Sequence, residues 1–275
     1  MKIVCLIENT STRDGLQCEF GLSFYVETES RKVLFDMGLG TGALENARRL
    51  GIDLSSVDVA ILSHGHYDHG GGLRAFLEVN DNAPVYVQEE AFGDHYSRTQ
   101  QGYAYIGLDK NLEADSRVIK LRGDYMLDGE LRLFTDGRGR KEWIPETNAT
   151  LLVRREEGGY VRDNFPHEQN LLISSGGSHV LLTGCSHGGI VNIMEQCERV
   201  TGIIPKTVIG GFHLCNPRTG KSADISLLRD LSVQLSRWPS TYYTCHCTGQ
   251  EAYESLCSLM PNRIRYISTG DELVL

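Results

Sequence analysis

The amino-acid sequence predicts an α/β protein, on three observations. Short β-rich runs open the chain, four apolar strands each end in a loop carrying a histidine and a glycine, and a helical stretch follows three of those loops. Ligand sites in α/β proteins collect at loops beyond the carboxyl ends of strands. Scattered structural histidines have no reason to repeat that placement, so the repetition points to one shared site.

Taken in order, Lys2 to Ile7, Leu22 to Glu27 and Lys32 to Phe35 read as successive strands separated by polar turn residues. Gly42 to Leu50 reads as a helix with Ala43, Leu44 and Ala47 on one face. Val57 to Leu62 is a short buried strand that delivers Ser63-His64-Gly65-His66-Tyr67-Asp68-His69-Gly70-Gly71, and Gly72 to Val79 is the helix that follows. Val180 to Thr183 runs into Gly184-Cys185-Ser186-His187-Gly188-Gly189 and then a helix from Ile190 to about Arg199. Thr207 to Ile209 ends in Gly210-Gly211-Phe212-His213. Ser240 to Thr244 ends in Cys245-His246-Cys247-Thr248-Gly249, before a helix near Gln250 to Met260. The stretch from Gln88 to Glu146 is least regular; it holds Tyr96, Tyr103, Tyr105, Tyr125 and Trp143 and reads in part as an insertion covering the site and contacting substrate, with an edge elaboration of solvated loops left open beside it. No low-complexity or Pro/Ser-rich linker interrupts the chain, so residues 1–275 are expected to form a single domain.

Composition narrows the function. With 40% hydrophobic and 23% charged residues the chain is an ordinary folded protein. A net charge of −9 argues against a nucleic-acid partner, because phosphate backbones are held by clustered Lys and Arg. Arg138-Gly139-Arg140-Lys141 is the one dense basic run and reads as a solvated loop. The apolar stretch Ile3 to Ile7 is too short for a signal-peptide core or a membrane span, which points to the cytoplasm and to reduced cysteines. Cys5, Cys18, Cys197 and Cys257 then read as small buried or half-buried side chains. A small-molecule substrate is expected, with no membrane partner, and a homo-oligomer is left open.

The cluster after Leu62 carries the chemistry. Side chains in an extended segment alternate, so His64 and His66 point to one side and can grip one ion. Asp68 and His69 lie on the turn beyond, placed for a second ion, as in two-metal hydrolytic centres. His213 follows two glycines that let backbone approach a ligand; a substrate contact, a proton donor to the leaving group and a metal ligand all stay open for it. His95, His167 and His179 are isolated; His167-Glu168 precedes the strand leading to Cys185, so a place near the site stays open for His167, with the surface preferred for all three.

The motifs Leu34-Phe35-Asp36-Met37-Gly38, Ser63 to Gly72, Gly184-Cys185-Ser186-His187, Gly210-Gly211-Phe212-His213-Leu214 and His246-Cys247-Thr248-Gly249 resemble those of the metallo-β-lactamase fold superfamily. Together with Glu8-Asn9-Thr10 and Gly21-Leu22-Ser23, they are most similar to the subgroup that holds the dihydropterin ribofuranosylaminobenzene-phosphate synthase and bacterial metal-dependent hydrolases. Phe20 departs from that pattern, which has a histidine there. The resemblance implies a four-layer αββα sandwich with its metal site at strand ends along one edge. It implies two divalent metal ions, zinc first and iron or manganese next, the first held by His64, His66 and His187 and the second by Asp68, His69 and His246. Cys185 competes with His187 for the ligand role, and His187 is preferred. Asp36 would accept a hydrogen bond from a ligating imidazole and fix its tautomer, while Asp68 and His213 would take catalytic roles. The activity implied is hydrolysis of a small ester, thioester, lactone or phosphoester by metal-activated water. A transferase of the synthase type and a non-catalytic ligand-binding protein are the alternatives.

Overall fold

The computed structural model describes residues 1–135 and 143–275 of the chain. The basic run at Arg138 to Lys141 lies outside the described residues. The chain forms two compact units, each assembled from separate stretches. One comprises Met1–Gly123, Ala149–Glu168 and Ser268–Leu275; the other comprises Asp124–Asn148 and Gln169–Ile267.

The first unit is built on a seven-stranded sheet in the order Glu272–Val274, Lys2–Ile7, Ser23–Glu27, Lys32–Phe35, Val59–Ile61, Val85–Gln88 and Val118–Leu121. The strands at its start pair antiparallel, with residues 28–31 forming the turn from Ser23–Glu27 to Lys32–Phe35 and residues 8–22 the longer link from Lys2–Ile7. From Lys32–Phe35 onward the pairing is parallel, which demands crossovers. The helices Gly42–Arg49 and Leu73–Val79 supply the first two. Their apolar faces bury Ala43, Ala47, Leu73 and Phe76 with Leu6, Leu34, Ala60 and Val85 of the sheet. Parallel strands covered on both faces read as unbroken apolar runs, and Val59 to Leu62 is buried throughout. That is why the strand leading to the histidine cluster was legible.

A second, four-stranded antiparallel sheet in this unit runs Tyr160–Arg162, Leu151–Arg154, His95–Thr99 and Gly102–Tyr105. Tyr96, Tyr103, Tyr105 and Tyr160 cluster on it, with Tyr103 stacked on Tyr160 at 3.8 Å. The span from Gln88 to Glu146 is therefore more regular than its composition suggests. It supplies two strands here, Val118–Leu121 to the main sheet, and Tyr125–Met126 and Leu131–Phe134 to the other unit.

The second unit has one seven-stranded sheet, ordered Ile264–Tyr266, Thr241–Thr244, Thr207–Gly210, Ser178–Leu182, Asn170–Ser175, Leu131–Phe134 and Tyr125–Met126. Its first four strands are parallel. The helices Ile190–Thr201, Ile225–Leu235 and Gln250–Leu259 connect them, burying Ile193, Met194, Leu228, Leu231 and Leu256 with Leu181, Val208 and Tyr242. All eight cysteines are free thiols. Cys5 and Cys197 are buried and Cys257 is half-buried, as read, but Cys18 is exposed. Among the described residues no helix is long and apolar enough to cross a membrane.

Candidate metal centre

In the first unit, the strand Val59–Ile61 hands the chain to Ser63, whose backbone N–H and hydroxyl both donate to Asp36, at 2.7 Å to Oδ1 and 2.7 Å to Oδ2. Asp36 is fully buried at the end of the neighbouring strand and holds a left-handed φ of 58°. Asp tolerates that region better than most residues. His69 Nδ1 donates to Asp36 Oδ2 at 2.6 Å, the contact expected of Asp36. Because the single Ser63 hydroxyl proton goes to Asp36, Oγ accepts from His64 Nδ1 at 2.9 Å. One carboxylate thus sets two tautomers, leaving Nε2 of both His64 and His69 as the basic atom. His64 Nε2 lies 3.1 Å from His66 Nδ1, and His69 Nε2 lies 3.8 Å from Asp68 Oδ2. The short helix Tyr67–Gly70 that carries Asp68 and His69 is pinned by Leu22 N–H to Asp68 O and Met37 N–H to His69 O.

Burial, and next the neighbouring His167, hold the His66 imidazole well below its ordinary pKa. Neutral imidazole is the ligating form. His95 and His167 are themselves buried, not at the surface as the sequence reading had them. His179 is half-buried and meets Ser174 Oγ at 2.9 Å. His95 and His167 both face Asp163, His95 from 68 residues away at 3.2 Å and His167 from four residues away at 3.1 Å. Burial alone would raise the Asp163 carboxyl, but the charges and hydrogen bonds of His167 and His95 outweigh it and hold it far below the usual carboxylate range.

In the second unit, Cys185 and His187 follow the strand Ser178–Leu182, His213 follows Thr207–Gly210, and His246 follows Thr241–Thr244. All four are buried. Asn148 Nδ2 donates to His187 O at 2.8 Å, so its Oδ1 accepts from His187 Nδ1 at 2.9 Å and Nε2 is again the basic atom. Sequence reading missed Asn148, whose only signal is its fold. The His187 and His213 rings stack edgewise with centroids 4.3 Å apart. His213 Nδ1 is buried with no hydrogen-bond partner among the described residues. Gly210 and Gly211 let neighbouring loops approach closely, since a Cβ on them would strike Thr183 O and Cys247 Sγ. Cys185 and Cys247 offer thiols near His213, within 4.8 Å of one another. Burial pushes the Cys247 thiol up, and hydrogen bonding with Cys185 and His213 overcomes that, holding it well below its usual range.

Strain concentrates on these loops. Among the described residues seven non-glycines have positive φ, and Asp36, Ser186, His213 and His246 are four of them. Each such residue costs on the order of 1–3 kcal/mol and persists only where its surroundings over-determine it.

Mixed sheets flanked by helices, with histidine loops at the carboxyl ends of parallel strands, are the metallo-β-lactamase fold expected from the sequence. The sequence model of the metallo-beta-lactamase superfamily matches residues 16–208, and the chain belongs to that superfamily. It is 31% identical over 266 residues to an uncharacterised protein of Methanocaldococcus jannaschii, with 94% of each chain covered. It is 33% identical over 251 residues to the 7,8-dihydropterin-6-methyl-4-(beta-D-ribofuranosyl)-aminobenzene-5'-phosphate synthase of the same organism, covering 85% of this chain and 82% of the relative. A solved structure described as a metal-dependent hydrolase of the beta-lactamase superfamily superposes with a TM-score of 0.83 at 30% identity, covering 100% of this chain and 99% of the other.

The donors present suit the superfamily's divalent metals. His64, His69 and His187 each have Nδ1 held by a protein acceptor and Nε2 left basic, the pattern by which ligating imidazoles are oriented. Asp36→Asn would turn one acceptor into a donor and reverse the His69 tautomer. Its metal affinity is expected to fall about 10–100-fold, measured by titration against a chromogenic chelator, while a tautomer without influence would leave affinity unchanged.

Proposed function

We propose that this chain is a divalent-metal-dependent hydrolase of a small ester, thioester, lactone or phosphoester. The observation that carries the reading is the Asp36–Ser63 arrangement, which presents Nε2 of His64 and His69 as basic atoms in a buried loop. The residues proposed to ligate are His64, His66, Asp68 and His69 in the first unit and His187 and His246 in the second, with Cys185 as the competitor of His187. Zinc is proposed first, since imidazole and carboxylate donors suit it, with iron and manganese compatible.

When bound, such ions acidify water and polarise the carbonyl or phosphoryl oxygen under attack. The chain's own residues supply orientation and proton handling. Asp68 is buried beside His69, and its carboxylate is suited to align the attacking water and take up its proton. His213 carries a buried ring nitrogen with no hydrogen-bond partner among the described residues, and we propose that it steadies or protonates the leaving group.

The identity to the pterin synthase supports a second reading, transfer in place of hydrolysis. Protein purified without chelator is expected to contain divalent metal by elemental analysis and to hydrolyse at least one member of a panel of aryl phosphodiesters, thioesters and lactones. Turnover only when both partners of the pterin condensation are supplied would establish the synthase reading instead. Metal-loaded protein inert both to the whole panel and to the paired pterin-condensation substrates would overturn both.

A further inference from the structure

Behind the histidine cluster lies a buried chain of side chains that neither the sequence motifs nor the proposed chemistry uses. Gly65, between His64 and His66, donates its backbone N–H to His167 Nδ1 at 3.0 Å. His167 Nε2 then donates to Asp163 Oδ2 at 3.1 Å, and His95 Nδ1 reaches the same oxygen at 3.2 Å. His95 Nε2 ends the chain on the carbonyl of Glu90 at 3.1 Å, and Phe165 N–H fixes Asp163 Oδ1 at 2.7 Å. His95, Asp163 and His167 are at most 3% exposed.

The other side of Gly65 is equally confined. A Cβ there would lie 2.1 Å from Ala91 O, in the 3-10 turn Glu89–Phe92 that also presents the Glu90 carbonyl. The peptide linking His64 to His66 is thus clamped between Ala91 and His167. The His66 ring rests among His167, His95 and Phe165, with centroids 5.5, 5.9 and 6.2 Å away.

His66, Asp163 and His167 could themselves be taken for a cation site, since their donor atoms lie within 4.8 Å of one another. Both His167 nitrogens are already committed, however, one accepting from Gly65 and one donating to Asp163. A cation there would have to break one of those bonds. The geometry therefore points to a different role: we propose that His167, held by Asp163 and His95, is a positioning residue that fixes the Gly65 peptide and so tunes how tightly the His64-Gly65-His66 segment holds a divalent metal. The inference rests on the metal-binding reading of that segment.

Ligand geometry must be held to a fraction of an ångström, and partners of the ligating groups typically change metal affinity about 10–100-fold. Zinc affinity of the full chain, measured by competition with a chromogenic chelator, and the ligand-field spectrum of the cobalt-loaded protein test the proposal. His167→Phe keeps the ring but removes the acceptor, and is expected to weaken zinc binding about 10–100-fold and to shift the cobalt bands. His167→Asn places an oxygen near the former Nδ1 and is expected to recover much of the loss. Should His167→Phe fail to fold, Asp163→Asn reads the same effect through the anchor of His167. A folded His167→Phe, or a folded Asp163→Asn, with wild-type zinc affinity and wild-type cobalt bands overturns the proposal. Wild-type protein that binds neither zinc nor cobalt overturns the metal-binding reading itself, a distinct outcome.

Discussion

His66→Ala is expected to lower kcat/KM by at least about 10³-fold on any ester the protein turns over. His66 is 5% exposed, and its imidazole is held neutral by burial and by the adjacent His167, so its lone pair is available at neutral pH. Losing one donor releases or displaces an ion whose charge stabilisation amounts to several kcal/mol, and each 1.36 kcal/mol is tenfold in rate. The loss should fall on kcat more than on KM, because the interaction strengthens as charge develops in the transition state. His179→Ala is the matched control: its half-buried ring pairs with Ser174 and should leave turnover unchanged. Elemental analysis with steady-state kinetics decides the matter. Wild-type rates with full metal content in His66→Ala would show that the cluster does not hold the working metal.

Two of the strands that deliver candidate donors were legible because both their faces are buried, while Thr241–Thr244, half-buried on one face, was legible from its β-type residues. Val59–Ile61 is an unbroken apolar run, and Thr207–Gly210 is buried throughout, with Val208 and Ile209 leading into glycine. The helix Ile225–Leu235 escaped notice although its signals are present: Asp224 caps it by accepting from Ser226 N–H at 2.8 Å, and Leu228, Leu231 and Leu235 line its buried face. The four-stranded sheet was hidden by composition, since tyrosine and glycine in Gly102–Tyr105 resemble a loop until Tyr160 packs against them.

The site divides along the same line. His64, His66, Asp68 and His69 are close in sequence, so their spacing carried the chemistry. Asp36 was placed through the resemblance carried by Leu34-Phe35-Asp36-Met37-Gly38. Asn148 could not be placed, since it meets His187 from 39 residues away, and neither could Asp163, which lies four residues from His167, because no local pattern marks a polar side chain that will be buried. What sequence reading offered was candidate donors; what it missed was most of the side chains that hydrogen-bond to them.

These buried groups predict a pH dependence of stability in the metal-free protein. Burial, then the neighbouring His167, depresses the His66 imidazole, and burial, then His95, depresses that of His167. In the unfolded chain both groups take up a proton near pH 6.5. In the folded protein they do so only at lower pH, so below about pH 6.5 the unfolded state binds more protons and stability falls as pH falls. Two such groups give a slope of up to about 2.7 kcal/mol per pH unit, at roughly 1.36 kcal/mol each. Asp163 acts in a different window, because its depressed carboxyl contributes stability above about pH 4 that is lost only in stronger acid. Urea melts of chelator-treated protein should therefore be nearly flat between pH 8 and pH 7 and decline steeply from about pH 6 to pH 5. His167→Asn should remove about half of that slope. Midpoints that do not move between pH 7 and pH 5 would mean that these imidazoles protonate in the folded protein as readily as in water, against their burial.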